Sequence, residues 1–273
     1  MPELPEVETC RRGLLPHVIN HTITQVIIRE ARLRWPIPID LPNKLINQKF
    51  RTLTRRGKYL LFGTSSGGTL LLHLGMSGHV RIIPASTVHA KHDHVDIIFD
   101  NNKCLRFNDT RRFGAMLWIP QHVEQHPLLA KLGPEPLTDD FNDVYLYTAL
   151  KRRKQAIKLS LMDNHVVVGV GNIYANEALF RAGIHPEKPS HKVTRAKLTR
   201  LVSIIKTVLT EAITAGGTTL RDFLSTDGTP GYFQQTLYVY GRGGKPCRIC
   251  DQKLVEIKMG QRSTVFCTVC QRR

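Results

Sequence analysis

The stretch that decides the C-terminal fold is CRICDQKLVEIKMGQRSTVFCTVC, residues 247–270. It contains two cysteine pairs, Cys247-x2-Cys250 and Cys267-x2-Cys270, which are separated by sixteen residues. Two tight pairs at this separation place four thiolates at the corners of a tetrahedron, a geometry that suits zinc. Because four protein ligands leave no open position for a reactive water, we predict one structural zinc ion.

Between the cysteine pairs the sequence predicts a β-hairpin. Its strands are Leu254–Lys258 and Ser263–Cys267, and its tip is 259–262, which includes Arg262. A segment this short cannot bury enough apolar surface to fold unaided, so metal binding is expected to order it and to hold Arg262 in place. Residues 237–273 contain eight Lys and Arg against two acidic residues, which favours nucleic acid over a free-standing zinc ribbon that contacts protein.

The whole chain is strongly basic. Its 273 residues include 39 Lys and Arg against 22 Asp and Glu, which gives a formal net charge of +17. A hydrophobic content of 41% is too high for a disordered basic tail, and the surplus of positive charge favours an acidic partner. Nucleic acid is the first candidate. An anionic membrane surface, or a basic soluble enzyme without such a partner, is the alternative.

The sequence shows neither a membrane helix nor a signal peptide. The apolar runs 68–74 and 166–170 are far shorter than the roughly 18 residues that a membrane helix needs. The first eight residues, MPELPEVE, are acidic and have no apolar core behind them. We therefore expect a soluble protein of the cytoplasm.

Residues 23–119 contain short strand-like segments separated by turn signals, a pattern typical of a β-sandwich or a barrel. Before them, Pro5–Arg12 is predicted to form a short helix that ends at Gly13. The predicted strands are Thr24–Arg29, Phe50–Thr54, Tyr59–Thr64, Thr69–Leu74, His79–Ile83, His94–Phe99, Lys103–Phe107 and Ala115–Ile119.

After Pro136 the sequence changes to helical periodicity. The clearest helix is Thr194–Ala215, whose apolar residues form one stripe and are predicted to be core. A mobile loop, Ser225–Phe233, is predicted to follow it. The other predicted helices are Asp139–Lys151, Gln155–Asp163 and Asn172–Ala182, the last of which ends at Gly183.

A basic run, Lys151-Arg152-Arg153-Lys154, is followed one predicted helical turn later by Lys158. No acidic residue lies between positions 150 and 160, unlike a helix surface that is stabilised by ion pairs. A helix that faces phosphates and a helix that faces solvent fit this pattern equally well.

Two loops of the predicted β domain contain a second set of candidates. Met76 lies in the loop 75–78, and Arg111 and Phe113 lie in the loop 109–114. Flexible apolar, guanidinium and aromatic side chains of this kind are inserted between base steps by proteins that unstack DNA. From the residues alone, a core position for Met76 and Phe113 is the favoured interpretation.

Seven motifs follow one another along the chain: MPELPEVE at 1–8, RRGKYL at 55–60, HLGMSG at 73–78, KHDH at 91–94, RRFG at 111–114, GVGNIY at 169–174 and the four-cysteine segment. This ordered set resembles bacterial formamidopyrimidine-DNA glycosylases. The resemblance implies an α+β multidomain protein with an N-terminal β-sandwich over 1–134, a helix-two-turn-helix domain over 135–236 and a zinc finger over 237–273. DNA would lie in a cleft between the halves.

The resemblance also implies a chemistry for the N-terminus. If Met1 is removed, Pro2 becomes a secondary amine, and an α-amino group has an ordinary pKa near 8, so a neutral fraction exists at physiological pH. This amine would attack the deoxyribose and form a Schiff base, while Glu3 would move protons at the base or the sugar. Lys58 would assist the β-elimination and Arg262 the δ-elimination.

Further residues are assigned to damaged double-stranded DNA by the same resemblance. His92, Arg111, Arg153, Lys158 and Asn172 would contact the DNA backbone. The gap left by the flipped nucleotide would be filled by Met76, Arg111 and Phe113. Residues 216–233 would close over the extruded base. The protein would act as a monomer and would not bind a membrane.

The function implied is a bifunctional DNA glycosylase and abasic-site lyase of base excision repair, which removes 8-oxoguanine and formamidopyrimidines. An endonuclease VIII-like enzyme for oxidised pyrimidines is the near alternative, although Leu4 and the opening Glu6-Val7-Glu8 fit the purine branch better. A zinc-containing DNA-binding protein without catalytic activity is the alternative of another class. It would bind any duplex in a salt-sensitive way and form no product.

Overall fold

The computed structural model describes residues 2–217 and 237–272. These residues form two compact units, the first built by 2–130 and 215–217 and the second by 131–214 and 237–272. Within the described chain, no helix is both long and apolar enough to cross a membrane. The predicted loop Ser225–Phe233, and most of the segment expected to cover a base, lie outside the described residues.

The first unit contains a β-sandwich, which confirms the predicted fold. One sheet has the strand order β1-β6-β7-β5 and the other β2-β3-β4-β8, and all recorded strand pairs in them are antiparallel. Each of the eight predicted strands is present, with ends that differ from the prediction by at most two residues. The strands are β1 Ile23–Ile28, β2 Phe50–Arg56, β3 Tyr59–Thr64, β4 Thr69–His73, β5 His79–Pro84, β6 Asp93–Phe99, β7 Lys103–Asn108 and β8 Ala115–Ile119.

The apolar core of this unit lies between the two sheets. Phe50 packs against Phe62 and Phe99, with ring centroids 5.0 Å and 6.1 Å away. Along β6 and β7 the odd-numbered apolar residues enter the core, so the even-numbered Asp96 and Arg106 lie on the opposite face. They are nonetheless buried, and Arg106 Nε donates to Asp96 Oδ1 at 2.7 Å. Both faces of these central strands are therefore covered.

Helix α1, Leu4–Val18, is longer than predicted. Gly13 does not end it, because the apolar spacing continues beyond the glycine to Leu14 and Val18, which are both fully buried. A glycine inside a helix costs about 1 kcal/mol, whereas burial of two large aliphatic side chains contributes several times as much. Tertiary packing therefore overrides the local stop signal. A short helix, α2 Leu41–Leu45, follows β1.

The second unit contains the helices α3 Asp143–Leu150, α4 Ile157–Leu161, α5 Asn172–Ala182 and α6 Arg195–Thr214. The prediction for α5 is confirmed, and Gly183 ends this helix in the left-handed conformation with φ of 67°. On α6 the buried residues are the predicted apolar stripe, namely Leu198, Leu201, Val202, Ile205, Val208, Leu209, Ala212 and Ile213.

The helices predicted on either side of the basic run, Asp139–Lys151 and Gln155–Asp163, are both present but shorter, and the basic run itself is not helical. Helix α3 ends at Leu150 and α4 begins at Ile157, so 151–154 lies in the connection between them. The start of α3 also differs, since the Asn142 side chain caps the helix by accepting from Tyr145 N at 2.9 Å. A cap at this position starts the helix at Asp143, four residues later than the periodicity suggested.

The cysteine segment forms the predicted hairpin, with β9 Val255–Met259 and β10 Arg262–Phe266. Arg262 is not in the tip, because it pairs with Met259 as the first residue of β10 and only two residues, Gly260 and Gln261, form the turn. The hairpin is not a free-standing ribbon either. It shares a small core with α5, because Phe180 of that helix packs with the buried residues Val239, Cys247, Leu254, Val265 and Cys267.

Candidate active site and nucleic-acid interface

The N-terminus is fixed by the first turn of α1. Pro2 and Glu3 are both buried, and Glu3 is only 3% exposed. A capping box holds them, since Glu3 N donates to Glu6 Oε2 at 2.9 Å and the Glu3 side chain accepts from the backbone of Glu6. The structure therefore places Pro2 and Glu3 together at the positive end of a 15-residue helix.

Lys58 lies in the two-residue turn between β2 and β3, where Gly57 has a positive φ of 56°. This turn is tied to α1 through Arg55. Its Nε donates to Glu8 Oε2 at 3.2 Å, and its Nη1 donates to Gly57 O at 2.9 Å. One guanidinium thus connects the helix that begins beside Glu3 with the turn that contains Lys58.

Glu8 is the centre of a cluster of arginines. Burial raises its pKa, but hydrogen bonds from Arg11 and Arg12, with the charges of Arg11 and Arg55, outweigh that effect and lower the pKa of Glu8 to about 2. The carboxylate is therefore ionised at neutral pH, and the attachment of Arg55 to α1 is intact there.

His73, the last residue of β4, is a neighbour of the candidate site that the sequence reasoning missed. Its ring lies 4.9 Å from the ring of Tyr59, and its Nδ1 accepts from Gly75 N at 3.1 Å. Burial lowers the pKa of His73 to about 4, and the charges of Lys58 and Arg34 add to this effect. The imidazole is therefore neutral at physiological pH and lies within electrostatic range of Lys58.

The loops with Met76, Arg111 and Phe113 lie next to each other. Met76 is 37% exposed and Phe113 is 42% exposed, so the predicted core positions are wrong. The Arg111 guanidinium lies over the Phe113 ring at 4.9 Å from its centroid. A Cβ added to Gly75 would lie 2.4 Å from the carbonyl carbon of Phe113, so the two loops are in backbone contact. The apolar Met76, the aromatic Phe113 and the cationic Arg111 thus extend from two adjacent loops.

His92 precedes β6 in a left-handed conformation with φ of 74°. It lines an open cavity of about 470 Å³ together with Arg29, Lys91 and Arg112. Glu30 and Asp93 are also in the lining, but Asp93 is buried and accepts from Asn108 Nδ2 and Ala90 N. Arg29 is ion-paired with Asp96 and Arg112 with Glu30, but the lining keeps an excess of basic side chains, which suits a phosphate.

In the second unit, Asn172 is the first residue of α5 and follows the glycine-containing stretch 169–171. The N-terminus of a helix of 11 residues carries the positive end of the helix dipole, which suits a phosphate. Arg153 is less free, because its Nη1 lies 2.6 Å from Asp163 Oδ2 in an ion pair.

Lys158 is fully buried, which the sequence did not predict. Its Nζ donates to Ser263 O at 2.8 Å and to Thr264 Oγ1 at 2.6 Å, both in β10. Lys158 therefore connects α4 to the hairpin that contains Arg262. The Arg262 side chain is exposed. The predicted contact of Lys158 with the DNA backbone stays a prediction.

The four cysteine sulfurs form a compact group whose ligand atoms all lie within 4.8 Å of one another. Sulfur–sulfur distances are 3.4 Å for Cys250 and Cys267, 3.5 Å for Cys250 and Cys270, and 3.9 Å for Cys247 and Cys270. Tetrahedral zinc–sulfur bonds of about 2.3 Å give sulfur–sulfur distances of about 3.8 Å. The donor set and its spacing therefore fit a four-coordinate metal.

Comparisons with known proteins cover the chain in three segments. Residues 1–116 match the formamidopyrimidine-DNA glycosylase N-terminal domain, 132–224 its H2TH domain, and 244–273 a zinc finger found in FPG and IleRS. The formamidopyrimidine-DNA glycosylase of Shewanella pealeana is 57% identical over 273 residues, which is all of both chains.

Solved structures of Lactococcus lactis Fpg are also similar. A complex with DNA that contains N7-benzyl-Fapy-dG has a TM-score of 0.93 and 34% identity and covers 100% of both chains. A complex with DNA that contains an abasic site has a TM-score of 0.92 and 33% identity, and covers 99% of this chain and 100% of the other.

The chain belongs to the formamidopyrimidine-DNA glycosylase family. The resemblance inferred from the motifs is thereby confirmed, as is the fold of sandwich, helix-two-turn-helix domain and four-cysteine finger. Membership also confirms that the chain is an enzyme of this family, because the relatives match it over its full length.

Two buried acids of this family member were also missed by sequence reasoning. Asp109 is fully buried beside the exposed loops, and Glu177 on α5 accepts from the backbone amides of Tyr238, Val239 and Tyr240 at 2.8–2.9 Å. Burial raises the pKa of Glu177 even though these amides favour its carboxylate. A single acid in a sequence gives no sign of such partners, so no local signal was available.

Proposed function

We propose that this family member is a bifunctional DNA glycosylase and abasic-site lyase of base excision repair. It excises oxidised purines, 8-oxoguanine and formamidopyrimidines, from duplex DNA and then cleaves the strand. The observation that carries the proposal is the placement of Pro2 and Glu3, both buried and fixed by the capping box at the start of α1.

The reaction begins at the amine of Pro2 after removal of Met1. The nitrogen lone pair attacks C1′ of the deoxyribose, the bond from C1′ to the base breaks, and the base leaves with its electron pair and a proton. Glu3, the adjacent residue, moves protons between the base, the sugar ring oxygen and solvent. Ring opening then gives a Schiff base between Pro2 and C1′.

The surroundings of Pro2 support this role. Pro2 lies buried beside the Glu3 carboxyl group at the start of α1, so a proton acceptor is adjacent to the amine. Only the neutral amine has the lone pair needed for attack.

Strand cleavage follows from the Schiff base by two eliminations. Loss of a proton from C2′ expels the 3′ phosphate in the β-elimination, and a second proton loss expels the 5′ phosphate in the δ-elimination. We assign assistance to Lys58 in the first step and to Arg262 in the second. Lys58 is supported by the Arg55 connection to α1, and Arg262 by its exposed position on β10.

The proposed DNA contacts are distributed over both units. His92, Arg111, Arg153 and Asn172 bind the backbone, supported by the cavity at His92 and the helix N-terminus at Asn172. Lys158 is fully buried, so we assign its contribution to the backbone contact through the hairpin that it holds. The exposure of Met76 and Phe113 supports their insertion, with Arg111, into the gap left by the flipped nucleotide.

The metal in the four-cysteine site is proposed to be one zinc ion. Four thiolates fill its coordination sphere, so its contribution is to hold the hairpin, and the chemistry is done by the protein. We also propose that the domain boundaries lie at 134/135 and 236/237. The protein is proposed to be a monomer and to be located with the bacterial nucleoid.

A one-residue extension of the N-terminus tests the proposal. The chain that begins at Pro2 is expected to release 8-oxoguanine from a duplex opposite cytosine and to cut the strand. With one residue before Pro2, cleavage is expected to disappear while duplex binding remains, because the nucleophile becomes a tertiary amide. Equal cleavage by both chains would contradict the role of Pro2.

The same experiment separates the alternatives. A binding protein without activity would form no product from either chain and would be indifferent to the extension. An endonuclease VIII-like enzyme would cut a duplex containing an oxidised pyrimidine faster than one containing 8-oxoguanine. The proposal expects the reverse order of rates.

A further inference from the structure

The loops that contain Met76 and Phe113 meet at one buried carboxylate. Asp109 directly follows β7 and is 0% exposed. Its Oδ1 accepts from Ser77 Oγ at 2.7 Å, and its Oδ2 accepts from Gly114 N at 2.8 Å. Each oxygen of this carboxylate therefore holds a different loop.

The serine extends this connection. Ser77 Oγ donates to Asp109 and at the same time accepts from Arg111 N at 3.0 Å. The hydroxyl is thus used both as a donor and as an acceptor, and it joins the residue next to Met76 with the backbone of Arg111.

The backbone of Asp109 connects a third segment. Its N donates to His92 O at 3.1 Å, and its O accepts from His94 Nε2 at 2.7 Å and from Arg112 N at 3.3 Å. Asp109 therefore holds both the segment of His92, which is proposed to contact the DNA backbone, and the loops that are proposed to enter the duplex.

This point is closely packed and has little freedom to shift. A Cβ added to Gly114 would lie 2.8 Å from His73 O and 3.0 Å from Asp109 Oδ2. Within the described part of the chain, the Asp109 carboxyl group is held by the neutral donors Ser77 Oγ and Gly114 N and is not in an ion pair with Lys or Arg. A buried carboxylate is costly to place unless its hydrogen bonds are made, which makes this arrangement specific for one geometry.

The exposed side chains need such support. Met76 and Phe113 project from loops and are 37% and 42% exposed, so the core does not fix their positions. Insertion into a base stack requires that these side chains are held in place before DNA arrives, because misplacement by about 1 Å can cost a factor of about 100 in rate.

We propose that Asp109 is a positioning residue that, through Ser77 and Gly114, holds Met76, Arg111 and Phe113 in the arrangement that enters the duplex. It touches neither the base nor the sugar. The inference rests on the proposed function, since it assigns a support to residues that would fill the gap in the DNA.

Asp109→Asn and Ser77→Ala test the proposal. In Asn an NH2 group, which cannot accept, replaces one carboxylate oxygen, so the separate acceptors that Ser77 Oγ and Gly114 N use are not both retained. Ser77→Ala leaves the carboxylate and its bond to Gly114 in place but removes the acceptor for Arg111 N. Asp100→Asn is the matched control, because Asp100 is an exposed acid at the other end of the β6–β7 hairpin.

Two substrates separate positioning from stability. On a duplex with a lesion, both test variants are expected to excise the base at least about tenfold more slowly than the wild type, because the inserted side chains are misplaced. On a single-stranded abasic site, which has no gap to fill, the cleavage rate is expected to stay within about twofold. The control should match the wild type on both substrates.

A direct signal of insertion completes the experiment. 2-Aminopurine opposite a stable abasic-site analogue should change fluorescence when wild-type protein binds, and the change should be smaller for both variants. An unchanged duplex rate and signal, or an equal loss on both substrates, would overturn the proposal. If Asp109→Asn does not fold, Ser77→Ala decides alone. A wild type that cleaves neither substrate would refute the proposed function, whereas the fluorescence comparison would still test Asp109.

Discussion

The two units hold their candidate residues in different ways. In the first unit, a core shared by two four-stranded sheets supports the strands, and buried polar groups such as Glu8 and Asp109 fix the loops between them. In the second, the hairpin has a core of six buried residues, two of which are cysteines and one of which comes from α5. We therefore expect the sandwich to be stable without a metal and the hairpin to depend on one.

Removal of the metal is expected to have the largest effect. After chelation, or in Cys250→Ser, the hairpin should lose its order and duplex affinity should fall by about a hundredfold or more, because Arg262 and its neighbours lose their positions. The sandwich should keep a cooperative thermal transition. Calorimetry and a binding titration measure the two effects.

Asp251→Asn is the control for the metal experiment, because Asp251 is exposed beside Cys250 and has a positive φ that Asn tolerates. Addition of zinc to the chelated protein should restore affinity. Full duplex affinity in verified metal-free protein would show that the two units do not differ in this way.

Substitution of Lys158 should weaken the hairpin without touching the metal. Lys158→Met keeps the aliphatic stem but leaves Ser263 O and Thr264 Oγ1 without this donor, at a cost of about 1–3 kcal/mol. Urea unfolding should show the loss. The exposed Lys154→Met is the control and should unfold like the wild type. Equal stability of the two variants would contradict the support that Lys158 gives to β10.

The sequence predicted the parts of this molecule whose signals are local. Helix α5 begins at Asn172 and ends at Gly183 because a glycine can adopt the left-handed conformation that stops a helix. The four cysteines were recognised by spacing alone. Gly13 misled the prediction, since the burial of Leu14 and Val18 acts over a longer range than a stop signal.

The missed features all depend on partners distant in sequence. Lys158 is buried because β10, more than a hundred residues later, provides acceptors. Asp109 is buried because loops on either side of it in the fold supply donors. Met76 and Phe113 have core-like side chains, yet they are exposed, and only the placement of their loops reveals this.

In the sandwich, the Glu8 cluster predicts a smaller, pH-dependent effect. The pKa of Glu8 is lowered from 4.5 to about 2, so its contribution to stability is present above pH 4.5 and is lost as the pH falls through about 2. Glu8→Gln should therefore lower the melting temperature at pH 7 and have progressively less effect below pH 4.5.

Thermal unfolding of Glu8→Gln at several pH values measures this dependence. Glu124→Gln, a change at an exposed acid, should be close to the wild type throughout. A destabilisation by Glu8→Gln that is the same at pH 7 and at pH 2.5 would contradict the ion-pair cluster.

Arg262→Ala is expected to have the smallest effect on stability and a specific effect on products. Because Arg262 is exposed, the unfolding free energy should change by less than about 0.5 kcal/mol. The strand products should shift from δ-elimination toward β-elimination, which gel electrophoresis resolves. The exposed neighbour Lys258→Ala should give the wild-type products, and the same pattern for Arg262→Ala would show that the assignment is wrong.

The most direct test of the account is to locate the covalent bond to DNA. Borohydride should reduce the Schiff base formed on a duplex with 8-oxoguanine opposite cytosine, and digestion with mass spectrometry should identify the modified peptide. The account predicts a sugar remnant on the N-terminal nitrogen of Pro2 in a chain that lacks Met1. An adduct on Lys58 or another lysine, or no adduct with verified absence of Met1, would contradict it.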